Sequence, residues 1–576
     1  MSFASIRSIA YSSLTAVQLK MQVASSNVAN ADTDGYTRKT ATQTATVTAG
    51  VGSGTAVTAI TSTVDKYLLK DLTTAATALG AATTTDSYAS ELGTLFGSVT
   101  SSDNSGTSLA DMIATLQSDV SSLASTPESD TLGAQVVDAL DTVASQLRED
   151  SSSIQSMRAD ADGEIADDAG SVNDALNTIA DLNKQIVAAK SRNESTADLE
   201  DQRNEALQTV AGYMNVNSYV NSNDEMTIST AGGTTLLDSQ VHELSYDNAG
   251  TVTADTVFSP VTVGGKDVTA NITSGTIGAL ITQRDDTLPA AQSELDGLAQ
   301  QLASAVNAVS NTATSVPPPS SLTGTADVAA DDAFSATGTV RIAVTDDSGA
   351  LVSYQDLDLA DYSTVGGLVD ALNGISGVTA SLDSGTLKLS TSSGQGIAIG
   401  DIGDSVGSDG QGFSSYFGLN DLLTGTSAAD IAVRSDVLSG ATNLPTATLD
   451  IADNPSVGDS VLTTSSTVAN NLYDALTANQ TFSAAGTLSA RTSSLTDYAG
   501  AIVSQVGSAA TSAASTLTSK QTAYDTLSTS FSSESGVNLD EETANLSSLE
   551  QEYSVSAQLL SVVTSMFDAL LQAAQS

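Results

Sequence analysis

The sequence has no cysteine, no tryptophan and a single histidine in 576 residues. Without cysteine, disulfides and thiolate metal sites are excluded, whatever the redox compartment. Basic residues are scarce as well: 19 Lys and Arg stand against 67 Asp and Glu, a formal charge of −48. A field of that sign repels nucleic acid and anionic membranes, which bind through basic patches. It reads equally well as an adaptation of solubility or habitat. No stretch approaches the roughly 18 consecutive apolar residues of a membrane span, so no membrane insertion is expected. The N-terminus, MSFASIRSIAYSSLTAVQLKM, lacks the continuous apolar core of a signal peptide. Taken alone, that favours the cytoplasm; any export must use a route other than a cleaved general secretory signal.

What is present is length and alanine. A chain of this size exceeds one ordinary core, so several domains are expected. The 40% hydrophobic fraction supports folded structure, but much of it is alanine, which predicts thin, helix-rich cores.

Two apolar seams mark the chain ends. Phe3, Ala10, Leu14, Val17, Met21, Ala24 and Val28 follow spacings of four and three after the first step, the seam of a coiled coil. The helix they predict should stop near Asn30, where Asn27, Asn30, Asp32, Asp34 and Gly35 supply turn chemistry and Gly35 can take a positive φ. At the other end Leu546, Leu549, Tyr553, Leu560, Val563, Phe567 and Leu570 share one heptad register, with Ser556 as a polar exception. Val555, Leu559, Val562 and Met566 form a second stripe beside it. A solvent-exposed helix does not carry so wide an apolar face without a partner. The spacing predicts a helix over 540–571, capped by Asn538 or Asp540, with the N-terminal helix as its simplest partner.

A third register runs from Leu140 through Leu147, Ile154, Ile165 and Val172 to Ile186, broken by Ser151, Arg158 and Asp168. It predicts a long rod, with Gly163 or Asp167 and Asp168 as places for a kink or division. Residues 64–92, 107–125 and 487–530 predict further helices. Between the helical halves, 226–237, 246–263 and 338–354 alternate like strands. Residues 363–394 read as a short helix followed by a hairpin turning near Asp383 to Gly385. Residues 275–310 return to helix, and Pro317 to Pro319 stiffen the exit.

Chemistry is hard to place. His242 has no second imidazole or thiolate to join it in a zinc site. The acidic runs 160–170 and 401–412 do not match a calcium loop ending in a bidentate glutamate. GQGIAIG, 394–400, lacks the lysine and helix of a phosphate loop. No catalytic residue, cofactor or metal is expected, and the chain reads as non-enzymatic.

At this point the ends carry a resemblance. SSNVANADTDGYTRK, 25–39, resembles the asparagine-rich turn and Gly-Tyr-Ser/Thr-Arg signature of the flagellar axial proteins of rod, hook and hook-associated type. Residues 535–571 are similar to their C-terminal helix. Segments 198–216, 275–307 and 414–423 resemble the hook-associated members in particular. The resemblance implies a structural subunit exported unfolded by the flagellar type III apparatus with an export chaperone. It also implies a ring of copies at the hook–filament junction, between hook protein and a second junction protein, with terminal helices lining the inner tube. Asn27, Asn30, Gly35, Tyr36 and Arg38 would fix the passage from inner helix to the next layer. Arg38 or Lys39 would meet an acidic surface of a neighbour. A hook or distal rod subunit is the nearest alternative, since these share both terminal signatures; a secreted adhesin is a more distant one.

The expected fold is α+β and multidomain: a discontinuous long-helix bundle formed by both chain ends, with inserted β-rich outer domains. The terminal helices can be disordered in an isolated chain, because ordering costs backbone entropy that neighbours recover. The expected divisions are an inner-tube helix and turn (1–60), a long-helix rod domain (61–195 with 476–535), a mixed strand and helix domain (196–320), a β-rich outer domain (321–475) and a C-terminal inner-tube helix (536–576).

Overall fold

The computed structural model describes residues 3–48, 50–97, 108–451 and 454–575. The fold is α+β and multidomain, with long helices at both ends and many small sheets between them. The chain divides into two compact units, one of Met1–Tyr88, Ala159–Arg284 and Thr511–Ser576, the other of Ala89–Arg158 and Asp285–Ala510.

The first unit opens with α1 (Phe3–Ala29), followed by a hairpin of β1 (Lys39–Thr48) and β2 (Val51–Ser62) and then α2 (Lys66–Phe96). The hairpin is absent from the sequence-based expectation, although alternating Thr, Ala and Val around Gly50, Gly52 and Gly54 carry its signal. Next in the chain come α3 (Leu109–Ser125) of the second unit, whose expected first residue 107 lies outside the described residues, and α4 (Asp130–Ser191), which belongs to the first unit from Ala159 onward. This helix is longer than the expected 140–186 and helical without interruption through Gly163, Asp167 and Asp168, so the expected division does not occur. Its heptad register from Leu140 to Ile186 is buried throughout. Two of the three polar interruptions have partners: Ser151 Oγ donates to Gln292 Oε1 at 3.0 Å, and Arg158 donates to Gln155 Oε1 at 2.8 Å; at Asp168 burial pushes the carboxyl up to about 6.

The first unit continues with α5 (Ala197–Tyr213), a sheet of β3 (Val216–Val220), β4 (Met226–Thr230) and β5 (Thr235–Leu237), and a small sheet of β6 (Leu244–Ser245), β7 (Thr262–Val263) and β8 (Lys266–Asp267). The strand expected over 246–263 is reduced to its last two residues. Side chains take the place of a ladder there: Asp162 of α4 accepts from Ala249 N at 2.6 Å and from the Tyr246 hydroxyl, and pairs with Arg284 at 3.1 Å. Arg284 follows α6 (Gly275–Thr282) on a π-helical stretch, Gln283–Thr287, and its guanidinium lies 4.2 Å from the Phe258 ring centroid. The acidic run at 160–170 thus supplies a buried structural partner.

The second unit contains α7 (Leu288–Ser310), β9 (Ser321–Thr323), β10 (Ala336–Asp346), β11 (Leu351–Asp358), α8 (Val365–Leu372), β12 (Thr379–Asp383), β13 (Thr386–Ser390) and β14 (Gln395–Val406). Two antiparallel sheets, ordered β11-β10-β14 and β12-β13-β9, enclose a core that includes Val340, Ile342, Leu389, Ile397 and Phe413. The β12–β13 turn sits where the sequence places it, with Ser384 and Gly385 at φ of 52° and 88°. Short helices α9 (Phe413–Phe417) and α10 (Ser435–Leu438) follow, then α11 (Ser466–Thr477), which packs on α3 and α7. The C-terminal pair is α12 (Leu495–Ser535), which belongs to the first unit from Thr511 onward, and α13 (Leu539–Gln575), wholly in the first unit.

Candidate assembly interface

Asn27 explains the end of α1. It is 1% exposed, and its Nδ2 donates to Lys39 O at 2.9 Å while its Oδ1 accepts from Lys39 N at 3.0 Å. The last full turn of α1 is thereby clamped to the first residue of β1. The Tyr36 hydroxyl donates to the same Oδ1 at 3.0 Å. Asn30 closes the helix end, its Nδ2 donating to Ser26 O at 2.9 Å. Gly35 turns the chain at φ +76°, a conformation that L side chains resist.

The two bases after the turn have partners within the chain, contrary to the expectation of a neighbour's acidic surface. Lys39 is buried and pairs with Asp201 of α5 and, at 3.2 Å, with Asp198; its Nζ stands 3.6 Å from the Tyr36 ring centroid. Asp201 also accepts from Thr37 N at 2.9 Å and Thr37 Oγ1 at 2.6 Å. Arg38 reaches α13, with Nε 2.7 Å from Glu542 and NH1 3.3 Å from Glu541. The physical reason is local: α13 begins there, capped by Asn538 Oδ1 accepting from Asp540 N and Glu541 N, and its first-turn carboxylates face the turn.

The two terminal seams meet each other. Val17, Ala24 and Leu549 form a buried cluster flanked by Met21, Leu546 and Tyr553. Ser13 and Ser556, polar members of the two helices, lie 3.3 Å apart. With Arg38 beside Glu542 and Ser13 beside Ser556, α1 and α13 run antiparallel. Val563 is buried, and Leu14, Val28 and Leu560 are half-buried. Phe567 and Leu570 are exposed although they share the seam, because in this register α13 outlasts α1. The side chain of Phe3, first in the expected N-terminal seam, lies outside the described residues.

The second stripe of α13 has no such cover. Val555, Leu559, Val562 and Met566 are 57%, 53%, 55% and 50% exposed. No charged residue occurs between Tyr553 and Phe567. His242 is half-exposed beside Asp238 at 3.4 Å. Among the described residues no three His, Asp or Glu side chains converge as a metal site requires.

Comparison with known families bears on these same segments. Residues 98–317 match the flagellar hook-associated protein FlgK helical domain. Residues 8–37 match the flagella basal body rod protein family, and 528–573 match the C-terminal family of flagellar basal body rod FlgEFG proteins. The chain belongs to the flagellar hook-associated proteins. It is a structural protein of the bacterial flagellum. The two rod-family matches in this hook-associated protein cover α1 with its turn and α13, the two helices that pair. No curated protein sequence matches the chain. Among solved structures, the flagellar hook junction protein FlgK from Burkholderia pseudomallei aligns at 18% identity over 80% of this chain and 98% of that one, with a TM-score of 0.47.

Proposed function

We propose that this hook-associated protein forms a ring at the hook–filament junction, held by its terminal helices. The observation that carries the reading is the uncovered stripe Val555, Leu559, Val562 and Met566 on α13, alongside a seam already covered by α1. Apolar side chains repeated at helical spacing on a solvent face favour burial against another helix. Copies arranged in a tube would supply that helix. The sites of assembly are then the seam and stripe, with Asn27, Asn30, Gly35, Tyr36 and Arg38 fixing the angle at which α1 enters the next layer. Hook protein would lie on one side of the ring and a second junction protein on the other. Export proceeds through the flagellar type III route with a chaperone, which a chain without disulfides suits.

The helical stretch Leu495–Ala574 also contains a window apolar enough, by composition, to cross a membrane. Its pairing with α1 and its polar first half favour a protein partner over lipid. The match to the hook-associated helical domain favours a junction subunit over a hook or distal rod subunit, whose terminal segments are of the same family type. Cryo-electron microscopy of an intact flagellum carrying a tagged copy tests the proposal. A short ring at the junction is the expected result; density for this chain along the length of the hook would overturn it.

A further inference from the structure

Residues 40–64 contain no charged side chain, in a chain of which 15% of residues are charged. They make up nearly all of the β1–β2 hairpin. Thr42, Gln43, Thr44, Ala45, Val47 and Thr48 of β1 are exposed, and at the tip Val47 and Val51 are 63% and 59% exposed. The middle of β2, by contrast, leans on α1: Ser12 Oγ accepts from Thr55 N at 3.2 Å, and a Cβ on Gly54 would fall 2.2 Å from that oxygen. No third strand pairs with either edge among the described residues; besides Ser12, Ser195 reaches the β2 main chain, its Oγ donating to Ile60 O at 3.3 Å.

Exposed strands in water are normally guarded by charge, proline or bulges. Beyond the buried Lys39 at its base, this hairpin has neither charge nor proline. It does have two register shifts, at Thr42/Gln43 and Thr46/Val47, which interrupt the ladder and oppose strand addition. The exposed side chains of β1, on both faces of the strand, are therefore suited to contact through side chains, not through the main chain.

We propose that the exposed side chains of β1, with Thr44 on one face of the strand and Val47 on the other, form a contact surface for a second copy of this chain. The inference rests on the self-assembly reading above and adds a third element to the two terminal helices. Charge selects the occupant. Every copy carries −48, and like-charged molecules close most readily where charge has been removed from the surfaces that meet. A basic partner would gain more from the acid-rich surfaces elsewhere on the chain than from a neutral one. The hairpin packs on α1, the helix that also packs on α13, so the exposed strand adjoins the terminal-helix pair.

Because the sequence has no cysteine, Val47→Cys gives the full-length chain a single thiol that can carry a photoactivatable benzophenone. Illumination under self-associating conditions is expected to yield covalent dimers of this chain. Thr44→Glu is expected to weaken self-association about tenfold or more by sedimentation, with the melting temperature unchanged; the uncharged Thr44→Gln keeps association. Unaltered association of Thr44→Glu together with no Val47 cross-link to a second copy overturns the hairpin contact. If Leu559→Asp still abolishes association in that case, the helix-mediated reading stands alone. An unmodified chain that does not self-associate at any concentration overturns both, and cross-linking to a different protein in place of a copy overturns the hairpin contact.

Discussion

Arg38 is about a third exposed, whereas the Glu542 carboxylate that it meets is almost wholly enclosed, with side-chain exposures of 36% and 2%. Removing the guanidinium leaves a buried carboxylate without its counter-charge, which costs more than the pair itself contributes. Partial screening of Arg38 by water lowers the figure below that of a fully buried pair. Arg38→Ala is expected to destabilise the start of α13 by on the order of 2 kcal/mol. Faster amide exchange over 539–546 is the measurement, and Glu542→Gln in the same chain should recover part of the loss. A second residue-scale prediction concerns pH. Burial pushes the Asp150 carboxyl up from its ordinary value of 3.8 to about 7, with the Glu149 charge adding to the effect. Folding then favours proton uptake, so this group lowers stability as pH rises from about 4 to about 7. Gln146 Nε2 donates to Asp150 Oδ1 at 2.8 Å, a bond that an amide oxygen also accepts. Asp150→Asn should flatten that limb and stabilise the chain at pH 8 by on the order of 1 kcal/mol; melting at pH 5 and pH 8 reads it directly.

Among the elements, α13 carries two apolar surfaces with different partners. The seam with Leu549 and Leu560 is used inside the chain, against α1; the stripe with Leu559 is not. A charge in the seam therefore disturbs folding as well as association, and Leu560→Asp, on the centre of the seam, does not separate the two. Leu549→Asp places a carboxylate in a buried apolar cluster and should separate α1 from α13, with a loss of about 2–4 kcal/mol. Leu559→Asp should leave the melting temperature unchanged and weaken self-association about tenfold or more. Equal melting and equal sedimentation for Leu559→Asp and the unmodified chain would contradict the role of the stripe.

For the whole molecule, the compact unit of Ala89–Arg158 and Asp285–Ala510 includes no residue of either extremity. Its sheets close a core of their own around Val340, Ile342, Leu389, Ile397 and Phe413. A chain lacking residues 1–36 and 539–576 should retain the unfolding transition of that unit and fail to enter the flagellum. Calorimetry and electron microscopy of flagella from cells making the shortened chain check the two halves of the statement. The cut spares Thr37 and Lys39, which otherwise would leave the buried Asp201 without partners.

Local sequence alone determined the long helices. The heptad register of α4 is legible because a buried face recurs every three or four residues, and the same signal located α1 and α13, whereas α12 is marked by its alanine and serine content. Turn chemistry at Gly35 and at Ser384 to Gly385 was equally local, since positive φ is a property of single residues. The terminal motif by itself resembles that of the flagellar axial proteins. What the tertiary structure decided was pairing. Nothing in the spacing of Arg38 and Lys39 distinguishes a neighbour's acids from Glu542 and Asp201, which lie hundreds and scores of residues away. The strand-like run at 246–263 lost its ladder because Asp162 and Arg284, remote in sequence, take up its polar groups. Likewise two adjacent stripes on α13 are equivalent as sequence, and only the antiparallel register with α1 makes one a core and leaves the other in water. Local conformation follows from neighbours in the chain, whereas burial follows from which distant surfaces arrive first at a given face.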